Sequence, residues 1–357
     1  MSSDKSRTTL QDIADRLGYG RSTISLALRN HTSLPKATRD KIQRVAREMG
    51  YQPSPLVSAL MAQIRDKRKS QREQIGIVTR FDGPIRQVKV SGHYYQLLYK
   101  AIEEAATDLG YDITEFPIRK ETPMLSGKRL SHILKTRNIH GLIFFPGGNF
   151  FGDKDFPELE WEHFSTVMIG YNTCLTEHHS VNSHYSYDID LALQHAIRCG
   201  YKRIGLTITE FMERATDFGW SSRFMLYQSR IAPEDRIPIM HFNDYDEVVP
   251  WFQEYRPEVI LCADNGPIHA LERVGLSVPK DAGVILLIQR NIEGCAGVNP
   301  FTDEVGRASV ELLNSLLQTN QRGLPQFARN ITVKGSWVPG ASFPEPAESS
   351  AQKKTGR

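Results

Sequence analysis

The stretch TLQDIADRLGYGRSTISLALRN, residues 9–30, decides how the rest of this chain is read. Leu10, Ile13, Ala14 and Leu17 recur at helical spacing and give one apolar face. Thr9 stands before that face as an N-cap. Asp12, three residues on, completes a capping box and meets the positive end of the helix dipole. Gly18 ends the helix, because a residue without Cβ takes positive φ at little cost. A second short helix follows over about residues 21–28, with Ile24, Ala27 and Leu28 turned inward. Two short helices across a tight glycine-containing turn make a helix-turn-helix candidate.

Working outward, a third helix is expected over about residues 35–49, presenting Ile42, Val45, Ala46 and Met49 to the same core. Pro35 suits its first turn and Gly50 its stop. Three helices around one small apolar centre form a domain of roughly 50 residues, near the lower limit for independent folding. In such a fold the second helix enters the major groove and its first residues touch base edges. That places Arg21 and Ser22 in direct readout, where an arginine pairs bidentately with guanine and serine is less selective. Thr23, Ser25, Arg29 and Asn30, with the first-helix start at Thr9 and Leu10, are placed for phosphates.

Charge agrees with this placement. Residues 1–72 carry 15 Lys and Arg against 6 Asp and Glu, whereas the remainder carries 29 against 35. A basic head on an acidic body is the electrostatic footprint of a module that sits on phosphates. The polar start MSSDKSRTTLQD lacks the apolar run of a signal peptide, and no stretch of about 18 apolar residues occurs, so a cytoplasmic protein is expected. Cys174, Cys199, Cys262 and Cys295 are scattered without metal-ligand or disulfide spacing and read as small buried hydrophobes.

The run 9–30 resembles the head of the LacI/GalR family of transcription regulators. The likeness continues through TRDKI at 38–42 and EMGYQP at 48–53. Gly20 stands where that family usually has a capping serine, and Leu26 where a polar residue is frequent. The resemblance implies a hinge helix after the head, pairing with that of a second subunit and wedging a leucine into the minor groove. Ser54-Pro55 is a suitable helix start, and Leu56, Val57, Leu60, Met61 and Ile64 follow at helical spacing before the basic linker at 65–72. By motif position the wedge is Leu60.

From Glu73 strands and helices alternate. Strands are expected at 75–79, 111–117, 141–145, 166–169, 203–208, 258–262 and 283–288, and helices at 94–109, 187–199 and 303–317. Such alternation implies parallel sheets with helices on both faces. The expected fold is an all-α helix-turn-helix head plus a two-lobed α/β sensor similar to periplasmic binding proteins, with lobes at about 73–175 plus a returning segment and about 180–300. The expected division is 1–53 for the DNA-binding head, 54–72 for hinge and linker, 73–343 for an effector-binding and dimerisation domain, and 344–357 for a disordered tail.

Ligands of open α/β sheets sit beyond the carboxyl ends of strands. Tyr94 and Tyr95 are candidates to stack on a ligand ring, Asp264 to accept hydroxyl hydrogens, Trp220 to stack, and Gln289 to hydrogen-bond. Half-buried packing for the tyrosines and a helix cap for Asp264 remain open as alternatives. The implied function is a homodimeric, sequence-specific repressor of a carbohydrate-utilisation operon. Its partners are operator DNA and a small effector, a sugar or sugar derivative. No cofactor, metal or catalytic residue is expected. A solute receptor fits the body but not the head. An enzyme is disfavoured, since no G-x-S-x-G, Walker or H-E-x-x-H motif occurs. The pair His178-His179 is expected at the surface.

Overall fold

The computed structural model describes residues 8–28, 34–51, 72–81, 83–88, 94–118, 127–147, 158–170 and 177–343. The head forms α1 (Leu10–Leu17), α2 (Arg21–Leu28) and α3 (Lys36–Glu48). Ile13, Ala14, Ile24, Ala27, Ile42 and Ala46 are buried together at its centre, two from each helix. The expected hinge with Leu60, and the tail from residue 344, lie outside the described residues.

The body begins with β1 (Glu73–Thr79), α4 (Tyr94–Asp108), β2 (Tyr111–Pro117), α5 (Gly127–Thr136), β3 (Gly141–Phe144), β4 (Ser165–Ile169) and β5 (His179–Ser183). It continues through α6 (Tyr185–Arg198), β6 (Ile204–Ile208), α7 (Glu210–Ala215), α8 (Gly219–Gln228), β7 (Met240–His241), α9 (Val248–Tyr255) and β8 (Val259–Cys262). The last elements are α10 (Gly266–Arg273), β9 (Gly283–Leu286), β10 (Ala296–Asn299), α11 (Thr302–Gln318), β11 (Asn330–Val333) and β12 (Ser336–Val338). Two six-stranded sheets result, ordered β11-β5-β4-β3-β1-β2 and β12-β10-β9-β8-β6-β7. All pairings are parallel except β10 with β12.

Each sheet is covered on both faces, which is why its central strands read as unbroken apolar runs. Ile75 and Ile77 of β1 face α4 and α11, while Val78 packs with Leu130 and Leu134 of α5. In the second lobe Leu206 packs with α6 and α8, and Ile260 and Leu286 pack with α9 and α10. Cys262 and Cys295 lie in that last cluster as small buried hydrophobes. Among the described residues no helix is long and apolar enough to cross a membrane.

The chain passes between the lobes from β5 to α6, from β10 to α11 and from β11 to β12. Because β5 pairs with β4, it belongs to the first lobe, and the second lobe starts at α6, a few residues beyond the expected 180. The His178-His179 pair is not at the surface. Both rings are buried, His178 against Trp161 with its Nδ1 3.0 Å from the Thr166 hydroxyl. Burial pushes the His178 imidazole down to about 4.

Candidate nucleic-acid interface and ligand cleft

The helix start at Thr9 is built as its sequence requires. The Asp12 carboxylate accepts from the Thr9 N–H at 2.7 Å and hydroxyl at 2.8 Å, and the Asp12 N–H donates to Thr9 Oγ1 at 3.3 Å. These bonds from Thr9 hold the Asp12 carboxyl below its usual range. Gly18 closes the helix at φ 70°, donating its N–H to Ala14. That left-handed turn brings α2 across α1. The α2 end is tied to α3 by the Gln43 side-chain amide, which donates to the Ala27 carbonyl at 2.9 Å. Thr8 adds a bond from its hydroxyl to the Met49 carbonyl at 2.7 Å, closing the ring of three helices.

With the apolar face of α2 spent on that core, its opposite face is presented outward. Arg21 is exposed at the helix start, and Thr23 and Ser25 are half-buried along it. Thr9 is exposed, whereas the Leu10 side chain packs on the core and leaves its N–H to the helix start. Ser22 begins α2 beside Arg21. Arg29 and Asn30 lie outside the described residues.

In the body a cleft of about 860 Å³, counting its open mouth, lies between the lobes. The first lobe supplies Tyr94 and Tyr95 from the α4 start, Phe144 and Phe145 from the β3 end, and Met168 and Ile169 from β4. The second supplies Phe211 and Met212 from α7, and Ile288 and Arg290 from the segment after β9. Ser183, Tyr185 and Pro300 stand where the chain passes between the lobes. The Arg290 guanidinium lies 4.3 Å from the centre of the Tyr94 ring, and Tyr94 meets Tyr95 edge to face at 5.0 Å. Burial lowers the pKa of Arg290 and raises the Tyr94 phenol far above its usual value.

Residues 9–54 match the family described as "Bacterial regulatory proteins, lacI family". The head is a lacI-family DNA-binding domain. The chain is similar to the catabolite control protein A of Staphylococcus epidermidis, 21% identical over 286 residues that span 78% of this chain and 81% of the relative. It is 32% identical over 144 residues to the transcriptional regulator TreR of Escherichia coli, spanning 40% of this chain and 39% of that one. A solved Lac repressor dimer, bound to operator and the anti-inducer ONPF, superposes with a TM-score of 0.54 at 18% identity, covering 94% of this chain and 99% of the other. That likeness extends the lacI-type architecture from the head through both lobes of the body.

Of the residues expected in the cleft, Tyr94 and Tyr95 are in its wall. Trp220 is not. Its indole is fully buried in the second-lobe core, 5.8 Å behind Tyr185 and perpendicular to it. Gln289 also turns away. Its amide nitrogen donates to the Ile292 and Cys295 carbonyls, both at 2.8 Å, and its oxygen accepts from the Ile292 N–H. It clamps the turn between β9 and β10. Asp264 takes its helix-cap alternative, accepting from the Gly266 N–H at 2.9 Å and from the Tyr245 hydroxyl at 2.9 and 2.8 Å. Sequence reasoning missed Arg290. The turn that follows β9 places Ile288 and Arg290 in the cleft wall while Gln289 between them is spent on the turn itself.

Proposed function

We propose that this chain is a cytoplasmic, homodimeric transcription regulator that represses metabolic genes and is controlled by a small effector in the interlobe cleft. The head, 1–53, lies in the major groove with Arg21 and Ser22 on base edges and Thr9, Leu10, Thr23, Ser25, Arg29 and Asn30 at the phosphates. The hinge, 54–72, inserts Leu60 into the minor groove, and the body, 73–343, senses and dimerises.

One observation carries the control step: the cleft wall is shared by both lobes and by the segments that join them. A molecule filling it contacts both sides, so its affinity depends on the interlobe angle, and differential affinity is what shifts a conformational equilibrium. The wall supports binding over catalysis, since its described residues offer hydroxyls and one guanidinium and no paired acid and base. Two-fold symmetry fits a pseudo-palindromic operator, and the operator-bound Lac repressor dimer supports that assembly.

The test is a gel shift with DNA flanking the gene itself, at moderate salt, with and without candidate small molecules. Retention of one duplex over competitor DNA is the expected result. Absence of specific binding to any duplex would sink the regulator reading.

A further inference from the structure

We infer that Asp188 is a positioning residue of the interlobe hinge, a proton-linked latch whose acid form ties down the third chain passage and whose ionised form releases it. The latch sets how freely the lobes turn, whatever molecule fills the cleft between them.

The passages from β5 to α6 and from β11 to β12, the first and third, are tied together twice, and the two ties differ. On the first-lobe side the tie is backbone. Ser183 and Val333 end the pairing of β5 with β11, and the His184 N–H donates to the Val333 carbonyl at 2.8 Å. On the second-lobe side the tie is a side chain. Asp188, in the first turn of α6, accepts through Oδ1 from the buried Gly335 N–H at 2.9 Å. The passage from β10 to α11 leaves from the same point. Asn299 ends β10 opposite Ser336, and a Cβ on Gly335 would stand 2.7 Å from Asp188 Oδ1 and 2.8 Å from the Asn299 carbonyl oxygen. One carboxyl therefore sits where all three passages meet. Hinges turn by φ and ψ changes in a few such residues. With both ties made, the third passage turns over Lys334 alone. With the Asp188 tie undone, its free length runs on to Ser336, where pairing with Asn299 begins.

The tie carries a proton. Asp188 is fully buried, and its Oδ2 meets no hydrogen-bond partner among the described residues. An ionised carboxylate accepts about four bonds, so one backbone N–H leaves the charge poorly compensated and burial favours the neutral acid. Burial outweighs the opposing bond from Gly335 and pushes the carboxyl up to about 7. The charged and titratable groups around it are turned to other tasks. On α6, His184 accepts from the Tyr187 N–H at 3.2 Å and Asp190 pairs with Arg223. Lys334 of the third passage lies 5.1 Å from the centre of the Tyr187 ring, and Asp303 and Glu304 at the α11 start are exposed. Strands β10 and β12 bring no ionisable side chain. Opening the tie returns the carboxyl to water and to a pKa of about 3.9. Between those values opening releases a proton, so the open form gains up to about tenfold per pH unit from about 4 to about 7 and nothing more above.

Hydrogen exchange of the full-length protein, read by mass spectrometry from about pH 5 to 8 and corrected for the intrinsic rate of each amide, tests the latch. Protection of the peptide over residues 334–338 should fall by up to about tenfold per pH unit and level off near 7, while β8 stays far more protected throughout. Asp188→Asn keeps an acceptor for Gly335 and cannot ionise, so its protection should be flat. A flat profile in the natural chain overturns the latch. So does a passage that exchanges only as fast as β8 and with the same slope, since Asp188 would then act through global unfolding alone. Dyes at Leu109 of the first lobe and Met225 of the second, both exposed, read the consequence in chains diluted into unlabelled protein. Energy transfer should be more narrowly distributed at about pH 5 than at about pH 8, and equally narrow at both in Asp188→Asn. Equal widths without the substitution overturn the link to the lobes. Should Asp188→Asn fail to fold, the contrast between the passage and β8 in the natural chain decides alone.

Discussion

The head and the cleft present two ways of making a recognition surface. The head takes its surface from one run of about twenty residues, shaped locally from the Thr9 cap to the Gly18 turn and backed by α3 through one small core. The cleft takes its wall from residues as distant as Tyr94 and Pro300, joined only when two sheets and three chain passages are in place. A local surface stands or falls with one small core. A distributed one inherits the stability of a large body and is shaped by every element behind it.

The sharpest way to break that comparison is Ile24→Ala. Ile24 is fully buried at the centre of the three-helix core. Loss of an isoleucine side chain there costs about 2–5 kcal/mol. A domain of roughly 50 residues has only about 3–7 kcal/mol in hand, at ~0.05–0.15 kcal/mol per residue. The head should therefore unfold or nearly so. Calorimetry should lose the head's transition, operator binding should vanish, and the body's transition should stay where it was. An equal drop in the body's melting temperature would show one cooperative unit in place of two regions.

The body offers a test of almost the same size through pH. Asp188 lies buried at the start of α6, its Oδ1 accepting from the Gly335 N–H at 2.9 Å where the chain passes between lobes. Burial pushes its carboxyl up to about 7, against about 3.9 when unfolded. Between those values the native state keeps a proton that the unfolded state releases, so stability falls as pH rises from about 4 to about 7. At 1.36 kcal/mol per unit the loss is at most about 4 kcal/mol. Removal of this group by Asp188→Asn should abolish that fall in a melting series from pH 4 to 8. The buried His178 acts with the opposite sign: its value of about 4 lies below the unfolded value of about 6.5, so stability falls as pH drops through that window. Over the shared window of about pH 4 to 6.5 the two slopes offset each other, so Asp188→Asn should leave a body that loses stability as pH falls, and His178→Gln one that loses stability as pH rises. A head whose melting followed the same two limbs would erase the distinction between the regions.

How much was legible in the sequence follows the same divide. Every feature of α1, including its reciprocal cap and left-handed stop, is written within ten residues. The central strands of both sheets are equally plain, because burial on two faces leaves runs such as Ile75 to Val78 without a polar break. The strands β5 (HSVNS) and β11 (NITV) carry polar residues that hide their period, and β7 and β12 are only two and three residues long. The cleft was legible at Tyr94 and Tyr95, which an amphipathic helix start positions. It was illegible at Trp220 and Gln289, where the outcome turns on which way a side chain faces after an irregular turn. Trp220 follows the left-handed pair Asp217 and Phe218, and no pattern in the sequence announces that reversal.

Arg21→Ala sharpens the comparison at the level of readout. Its side chain is exposed at the α2 start, and removing a bidentate base contact costs about 1–3 kcal/mol. The loss should be confined to one base position per half-site, so operator variants at that position become equivalent. Uniform weakening across all sequences, with a shallower salt dependence, would make Arg21 a phosphate contact.

The smallest effect asks whether a single residue can serve both the local fold and the partner. Thr9 caps α1, and the proposed reading of the head also puts it at a phosphate. Thr9→Ala removes the cap and should cost about 1 kcal/mol. Both the head's melting and operator affinity should then fall together. Thr9→Asp divides the roles. Aspartate accepts from the same N–H but cannot donate to the Asp12 carboxylate that it faces, so the head should keep only part of its cap. The added charge, if Thr9 meets a phosphate, should lower operator affinity at low salt beyond the Thr9→Ala loss and let it recover as salt rises. An affinity no lower than that of Thr9→Ala at low salt would confine Thr9 to capping. The head's surface would then begin at Arg21, and even within the local region folding and reading would be assigned to different residues.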